Sequence, residues 1–152
     1  MDAAPFQIRI QVRIYEVDQQ RHVTGPAYLQ YTDHARYECF RAAGVDVERM
    51  LADGVGPVNL ETTIRYQDEL LAGDEVDVTC RFEWGSGKTC RVEHDLRRRR
   101  DGALAAQVRT ICGLLDLESR RLLADPAGHL RELASRPEVL GISASGSGSA
   151  GA

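Results

Sequence analysis

Asp18 and His22 are the residues of this chain whose types and spacing can do chemistry. They lie in the stretch from Tyr15 to Arg36, YEVDQQRHVTGPAYLQYTDHAR. One carboxylate stands where an alternating strand ends, an imidazole follows, and a Gly25-Pro26 step then opens an amphipathic segment. A carboxylate beside a helix N-terminus suits hydrolysis. The acid can attack a carbonyl or activate water, and the helix dipole with its free N–H groups can hold a developing oxyanion. His22 can orient Asp18 or a water; the alternative is a loop histidine packed against the helix start. Glu61 and Glu69 are reserve acids on and after the next strand. Asp33 and Arg36 fall on one helix face at a spacing that predicts an ion pair between them.

These groups need a strand, a turn and a helix to position them. Residues 7–16 alternate, with Ile8, Ile10, Val12 and Ile14 on one side, and predict a strand. Pro26 suits the first turn of a helix, with Gly25 as its N-cap, and Gly44 stops that helix after about Ala43. Its apolar positions (Tyr28, Leu29, Tyr31, Ala35, Cys39, Phe40, Ala43) recur at helical spacing and predict a face laid on a sheet. Residues 45–53 predict a short helical turn. From Val58 the period changes to two, so that Val58, Leu60, Thr62 and Ile64 share a face in a strand ending near Tyr66. Residues 75–84 and 90–96 alternate around a Gly-Ser-Gly-Lys turn and predict a hairpin. A last long strand runs from Leu104 to Leu117, and a short terminal helix takes in Leu130 to Leu133. One long helix and an antiparallel sheet of about five strands make an α+β domain over residues 1–141. Residues 142–152, rich in Gly, Ser and Ala, predict a flexible tail.

Composition narrows the function. The 152 residues are 43% hydrophobic and 28% charged, which suits one soluble globular domain. A net charge of −4 gives no reason to expect nucleic acid. No apolar run approaches the roughly 18 residues of a membrane span, so no membrane partner is expected. The N-terminus lacks the basic start and apolar core of a signal peptide, which predicts a cytoplasmic setting. Cys39, Cys80, Cys90 and Cys112 show no CxxC spacing, so no metal site is expected. Cys80 and Cys90 flank the hairpin turn and are read as free core thiols. Lys88 in that turn is not part of a Walker loop, since the GxxxxGK spacing is absent.

With these residues in place, the chain resembles the hotdog-fold acyl-CoA thioesterases, in particular the 4-hydroxybenzoyl-CoA thioesterase group. That group carries a pattern like Y-x-x-D-x-x-G-H-V-x-H-x-N-Y-L and then a helix with an acid-x-x-Arg step. Tyr15, Asp18, His22, Val23, Tyr28 and Leu29 match the first part, and Asp33 and Arg36 the second. The segment IRYQDELLAGDEVDV is similar to the group's second strand and its Asp-Tyr-x-x-Pro-x-x-x-Gly-Asp stretch, with Gly73-Asp74 kept and the Pro missing. Arg21, Gly25 and Ala27 replace the motif's Gly, His and Asn.

The resemblance implies a hotdog fold, one long helix wrapped by an antiparallel sheet of about five strands. It implies hydrolysis of an acyl-CoA or acyl-carrier-protein thioester, with Asp18 as nucleophile or general base and His22 beside it. It also implies a homodimer or homotetramer with active sites between subunits, and no cofactor beyond the CoA of the substrate. Gly25 and Ala27 would admit an acyl carbonyl to the amides of Ala27 and Tyr28, and Tyr28 and Tyr31 would line the acyl pocket. Lys88, Arg97, Arg98 and Arg100 are the cations expected to meet CoA phosphates. The rival readings are a non-catalytic acyl-thioester binding module and an enoyl-thioester hydratase or dehydratase.

Overall fold

The computed structural model describes residues 4–144. Strand β1 (Phe6–Gln11) leads through a 3-10 turn (Ile14–Glu16) into the long helix α1 (Gly25–Ala42). A short helix α2 (Val47–Ala52) precedes four long strands: β2 (Val55–Tyr66), β3 (Glu75–Trp84), β4 (Thr89–Arg98) and β5 (Leu104–Asp116). A two-residue strand β6 (Arg121–Leu122), helix α3 (Pro126–Leu133) and a 3-10 turn (Pro137–Leu140) follow. The sheet order is β1-β3-β4-β5-β2 with β6 beside β5, and every pairing is antiparallel.

α1 packs on one face of this sheet. Its buried residues Tyr28, Tyr31 and Ala35 share a core with Val76, Val78, Leu96 and Val108. Farther along, Cys39, Phe40 and Ala43 join Phe82, Val92, Leu114, Leu130 and Leu140. Each such apolar side chain withdrawn from water contributes about 1.5–3 kcal/mol. The N-cap falls one residue earlier than expected, at Thr24, with Gly25 already helical. It stops at Gly44, whose φ of +81° is left-handed and whose missing Cβ would strike Ser135.

Five expectations are corrected. β1 ends at Gln11 rather than residue 16, and Ile14 turns outward with 75% of its surface exposed. β2 begins at Val55, ahead of Pro57, because β2 is an edge strand whose outer side asks for no N–H donor. A bulge between Asn59 and Glu61 then breaks the two-residue period. Thr62 and Ile64 pair with the buried Thr110 and Val108, while Val58 pairs with Gly113 and Leu60 is 50% exposed, so the four residues do not share a face. The short terminal helix is longer than expected, beginning at Pro126 behind an Asp125 cap. The expected tail also starts too early, since Ile142 is buried and the Ser143 carbonyl accepts a hydrogen bond from Arg131. Residues 145–152 lie outside the described residues.

All four cysteines are buried and free. Cys90 faces Cys112 across β4 and β5, with the sulfurs 3.0 Å apart, whereas Cys80 pairs in register with Phe6. Cys80 and Cys90 do not face each other, because the hairpin register sets Trp84 opposite Cys90. No helix is long and apolar enough to cross a membrane among the described residues.

Candidate active site at the entrance to the long helix

Asp18 sits in a tight turn. Its N–H donates to the His22 carbonyl and its own carbonyl accepts from the Arg21 N–H, both at 2.9 Å. Its Oδ1 accepts from the backbone N–H groups of Gln20 (2.8 Å) and His22 (3.3 Å). An Asp at such a turn commonly bonds the backbone just ahead of it. Here both bonds fall on one oxygen, and Oδ2 takes no hydrogen bond among the described residues. Closing the turn puts Arg21 at φ +68°, a left-handed value that glycine adopts more easily. This gives a physical reason for the Gly at that place in the resembling motif.

Two struts hold the turn. A bridge between Val17 and Val23 closes its base, and the Thr24 N–H donates to the Glu16 carbonyl. Glu16 is only 7% exposed. Its carboxylate accepts from the Arg13 N–H, the Arg13 guanidinium and, at 2.7 Å, the Tyr31 hydroxyl. Burial pushes the Glu16 carboxyl up, but the bonds from Arg13 and Tyr31 outweigh it and hold it below its ordinary value. Burial and the Glu16 carboxylate push the Tyr31 hydroxyl up. Tyr31, expected along an acyl pocket, is placed instead as a buried brace between the turn and α1.

The second strut is the segment between β2 and β3. His22 bridges to Leu71, the Val23 N–H donates to the Leu70 carbonyl, and Leu70 is fully buried. The His22 Nε2 lies 2.7 Å from the Glu69 carboxylate. Arg98 clamps this segment from behind. Its guanidinium donates to the Glu69 carbonyl (2.6 Å), to Asp68 (3.1 Å) and to Asp101 (2.8 Å). Arg100 donates to Asp74, whose other oxygen accepts the Leu71 N–H.

The expected phosphate cations therefore divide. Arg98 is 6% exposed with its nitrogens spent on this clamp, so it is not an open rim residue. Arg100 is half-exposed but tied to Asp74. Arg97 is exposed on the same end of β4. Lys88 precedes β4 and lies at its opposite end, about 30 Å away at a strand rise near 3.3 Å per residue. It does not share a patch with the arginines, because the hairpin is extended rather than folded back.

At the helix entrance, the Ala27 N–H is engaged with the Thr24 carbonyl at 3.1 Å, and Ala27 and Tyr28 are both buried. Gly25 is exposed, and the Tyr66 hydroxyl stands 3.5 Å from where its Cβ would be. Tyr66 also meets the Tyr28 ring edge-on at 5.2 Å. Arg36 does not pair with Asp33. It donates to Asn59 at 2.5 Å, because the bulge in β2 turns Asn59 toward the helix. Sequence reasoning missed Glu16 and Tyr66 and held Glu69 only in reserve. Tyr66 lies in the segment that carries the resemblance, so a signal for it was present. Nothing local marks Glu16, whose partner Tyr31 is far along the chain. Among the described residues no cluster of His, Cys, Asp and Glu can hold a metal.

A single long helix against a curled antiparallel sheet of five main strands is the hotdog fold. YbaW, a probable thioesterase from Escherichia coli, superposes with a TM-score of 0.73 at 25% identity, over 84% of this chain and 94% of that one. The 1,4-dihydroxy-2-naphthoyl-CoA thioesterase Slr0204 from Synechocystis superposes at 0.76 with 15% identity, over 84% and 95%. The chain belongs to the thioesterase-like superfamily, whose family model matches residues 12–140. It is 25% identical to the long-chain acyl-CoA thioesterase FadM of Escherichia coli K12, over 84% of this chain and 95% of FadM. It is 26% identical to the chloroplastic acyl-acyl carrier protein thioesterase ATL3 of Arabidopsis thaliana over 58% of this chain, a match spanning 46% of ATL3.

Proposed function

We propose that this chain hydrolyses acyl thioesters, with Asp18 as the acid that attacks the carbonyl or activates water. The observation that carries this reading is the Asp18 carboxylate itself. It is exposed at the mouth of α1, with Oδ1 anchored by two backbone N–H groups and Oδ2 open. Anchoring one oxygen aims the other without burying the charge, which suits either a nucleophile or a base. Gly25 and the Tyr66 hydroxyl stand at the helix N-terminus, where an acyl oxygen would gain from the dipole and a donor. Membership in the thioesterase-like superfamily supports the same chemistry.

The substrate is an acyl-CoA or an acyl carrier protein thioester, as the relatives FadM and ATL3 are described. The solved relative SAV2348 from Staphylococcus aureus, at 19% identity and a TM-score of 0.74, holds CoA. On this chain Arg21 is exposed in the Asp18 turn and Arg97 is exposed at the end of β4, and both are more open to nucleotide phosphates than Arg98. The test is release of free thiol from a panel of acyl-CoAs and from acyl carrier protein. Hydration of an enoyl-CoA without thiol release, or saturable binding without turnover, overturns the hydrolase reading in favour of a rival.

Assembly is the companion proposal. Among the described residues the 12-residue strand β2 pairs with β5 alone, which leaves its outer edge open. Beside it stand exposed apolar side chains on β2 (Leu60, Tyr66) and on α1 (Leu29, Tyr37). An open edge flanked by apolar surface favours pairing with a second copy. Light scattering at micromolar concentration is expected to give a dimer or tetramer, and a monomer there removes the shared-site reading.

A further inference from the structure

We propose that Glu69 is a positioning residue for this reaction, acting through His22; the inference rests on the hydrolase reading above. Three observations converge on it. First, the Glu69 carboxylate meets the His22 Nε2 at 2.7 Å although both side chains are nearly half exposed. An exposed pair by itself contributes little to stability, so its geometry matters more than its energy. Second, the geometry is imposed from both sides. His22 is bridged to Leu71, and the Glu69 carbonyl is held at 2.6 Å by the buried Arg98. Third, His22 is also the residue whose N–H anchors Asp18 Oδ1, so one residue joins both acids.

The carboxylate selects the state of the ring. With Nε2–H donated to Glu69, the neutral imidazole leaves Nδ1 as its acceptor. In the hydrolytic step, Nδ1 accepts a hydrogen bond from the attacking water and orients it, as the water oxygen bonds to the acyl carbon and its other O–H proton passes to Asp18. The C–S bond then breaks with its electron pair on sulfur, and the thiolate takes that proton from the Asp18 carboxyl. The sum is thioester plus water giving acid plus thiol, with Asp18, His22 and Glu69 unchanged. If Asp18 first forms an anhydride, thiolate leaves in that earlier step. The same nitrogen then takes the proton of the water that opens the anhydride and returns it to the departed thiolate or to solvent. Glu69 touches neither substrate nor water in either course.

The experiment compares wild type, Glu69→Ala, Glu69→Gln, His22→Ala and the Glu69→Ala/His22→Ala double variant on the best thioester of the panel. Glu69→Ala is expected to lower kcat about tenfold with KM within about twofold, the scale at which a residue orienting a catalytic group acts. Glu69→Gln, which keeps an oxygen for Nε2–H, is expected to recover much of that loss. The double variant is expected to be no slower than His22→Ala, since Glu69 acts only through the ring. Melting temperatures should stay close to wild type because both side chains lie at the surface. An unchanged kcat in Glu69→Ala, or losses that multiply in the double variant, overturns the inference while the hydrolase reading stands. A wild type that turns over no thioester overturns both.

Discussion

Asp18→Asn is expected to keep the fold and lose on the order of 10²–10⁴ in kcat, the usual contribution of a positioned acid or base. The substitution is nearly isosteric. The Asn carbonyl oxygen can still accept from the Gln20 and His22 N–H groups that hold Oδ1, so the turn should survive. What disappears is the anionic second oxygen, and with it the capacity to attack or to take a proton. Steady-state turnover with free thiol read out, beside a melting curve, checks both halves. A loss under about fivefold in a folded variant is too small for the residue that carries the chemistry. The variant is also informative beside Glu69→Ala: losing the acid should be far more costly than losing the group that orients its neighbour.

The second large effect is on stability. His94 lies on the inner face of β4, completely buried, with Nδ1 2.8 Å from the Thr79 carbonyl and Nε2 without a partner. Burial, then the charge of Arg36, lowers its pKa from 6.5 to about 4, while Asp95 and the Thr79 carbonyl pull weakly the other way. As pH falls below 6.5, the unfolded chain takes up a proton that the folded protein refuses. Stability is therefore full above that pH and falls until about pH 4, where the folded imidazole protonates as well. The full span is worth about 3 kcal/mol at 1.36 kcal/mol per pKa unit. Denaturant titrations should show wild type losing about that amount of stability relative to His94→Leu as pH falls from 6.5 to about 4. A difference that stays constant with pH means His94 takes up its proton equally readily in the folded and unfolded chain.

How far the sequence could be read depended on whether a feature was local. The α1 boundaries were legible because Pro26 and Gly44 each impose a backbone geometry regardless of surroundings. The β3–β4 hairpin was legible because its alternation runs unbroken through both strands. β2 was misread at its start and along its face for one reason. The strand is an edge, so it tolerates Pro57, and it carries a bulge, so its period slips at Leu60. Neither property is written in the residues of β2 alone. Asp18 and His22 were singled out because motif and turn chemistry sit together in one short stretch. Arg98 and Arg100 were read as open cations because a run of like charge reads as an open patch. Only the fold reveals that Asp68, Asp74 and Asp101 converge on it. The expected Asp33–Arg36 pair fails in the same way, since Asn59 arrives from another element and takes the guanidinium.

The stitching of the Asp18 turn to the segment after β2 has a consequence for amide hydrogen exchange. Chain between a strand and a helix usually exchanges quickly, since its N–H groups face water. Here the N–H groups of Asp18, Arg21, Val23 and Thr24 all donate within the protein, as do those of Leu71, Gly73 and Asp74 across the seam. Val23 cannot reach solvent without leaving Leu70, nor Gly73 without leaving Val12. The two segments should therefore open together as one cooperative unit, with closely matched protection along both. Function placed on such a seam needs no mobile lid. On the proposed reading the Asp18 carboxylate is already in place in the resting protein, and weakening the segment around Leu70 should speed exchange at Val23 and Thr24 as much as at its own amides.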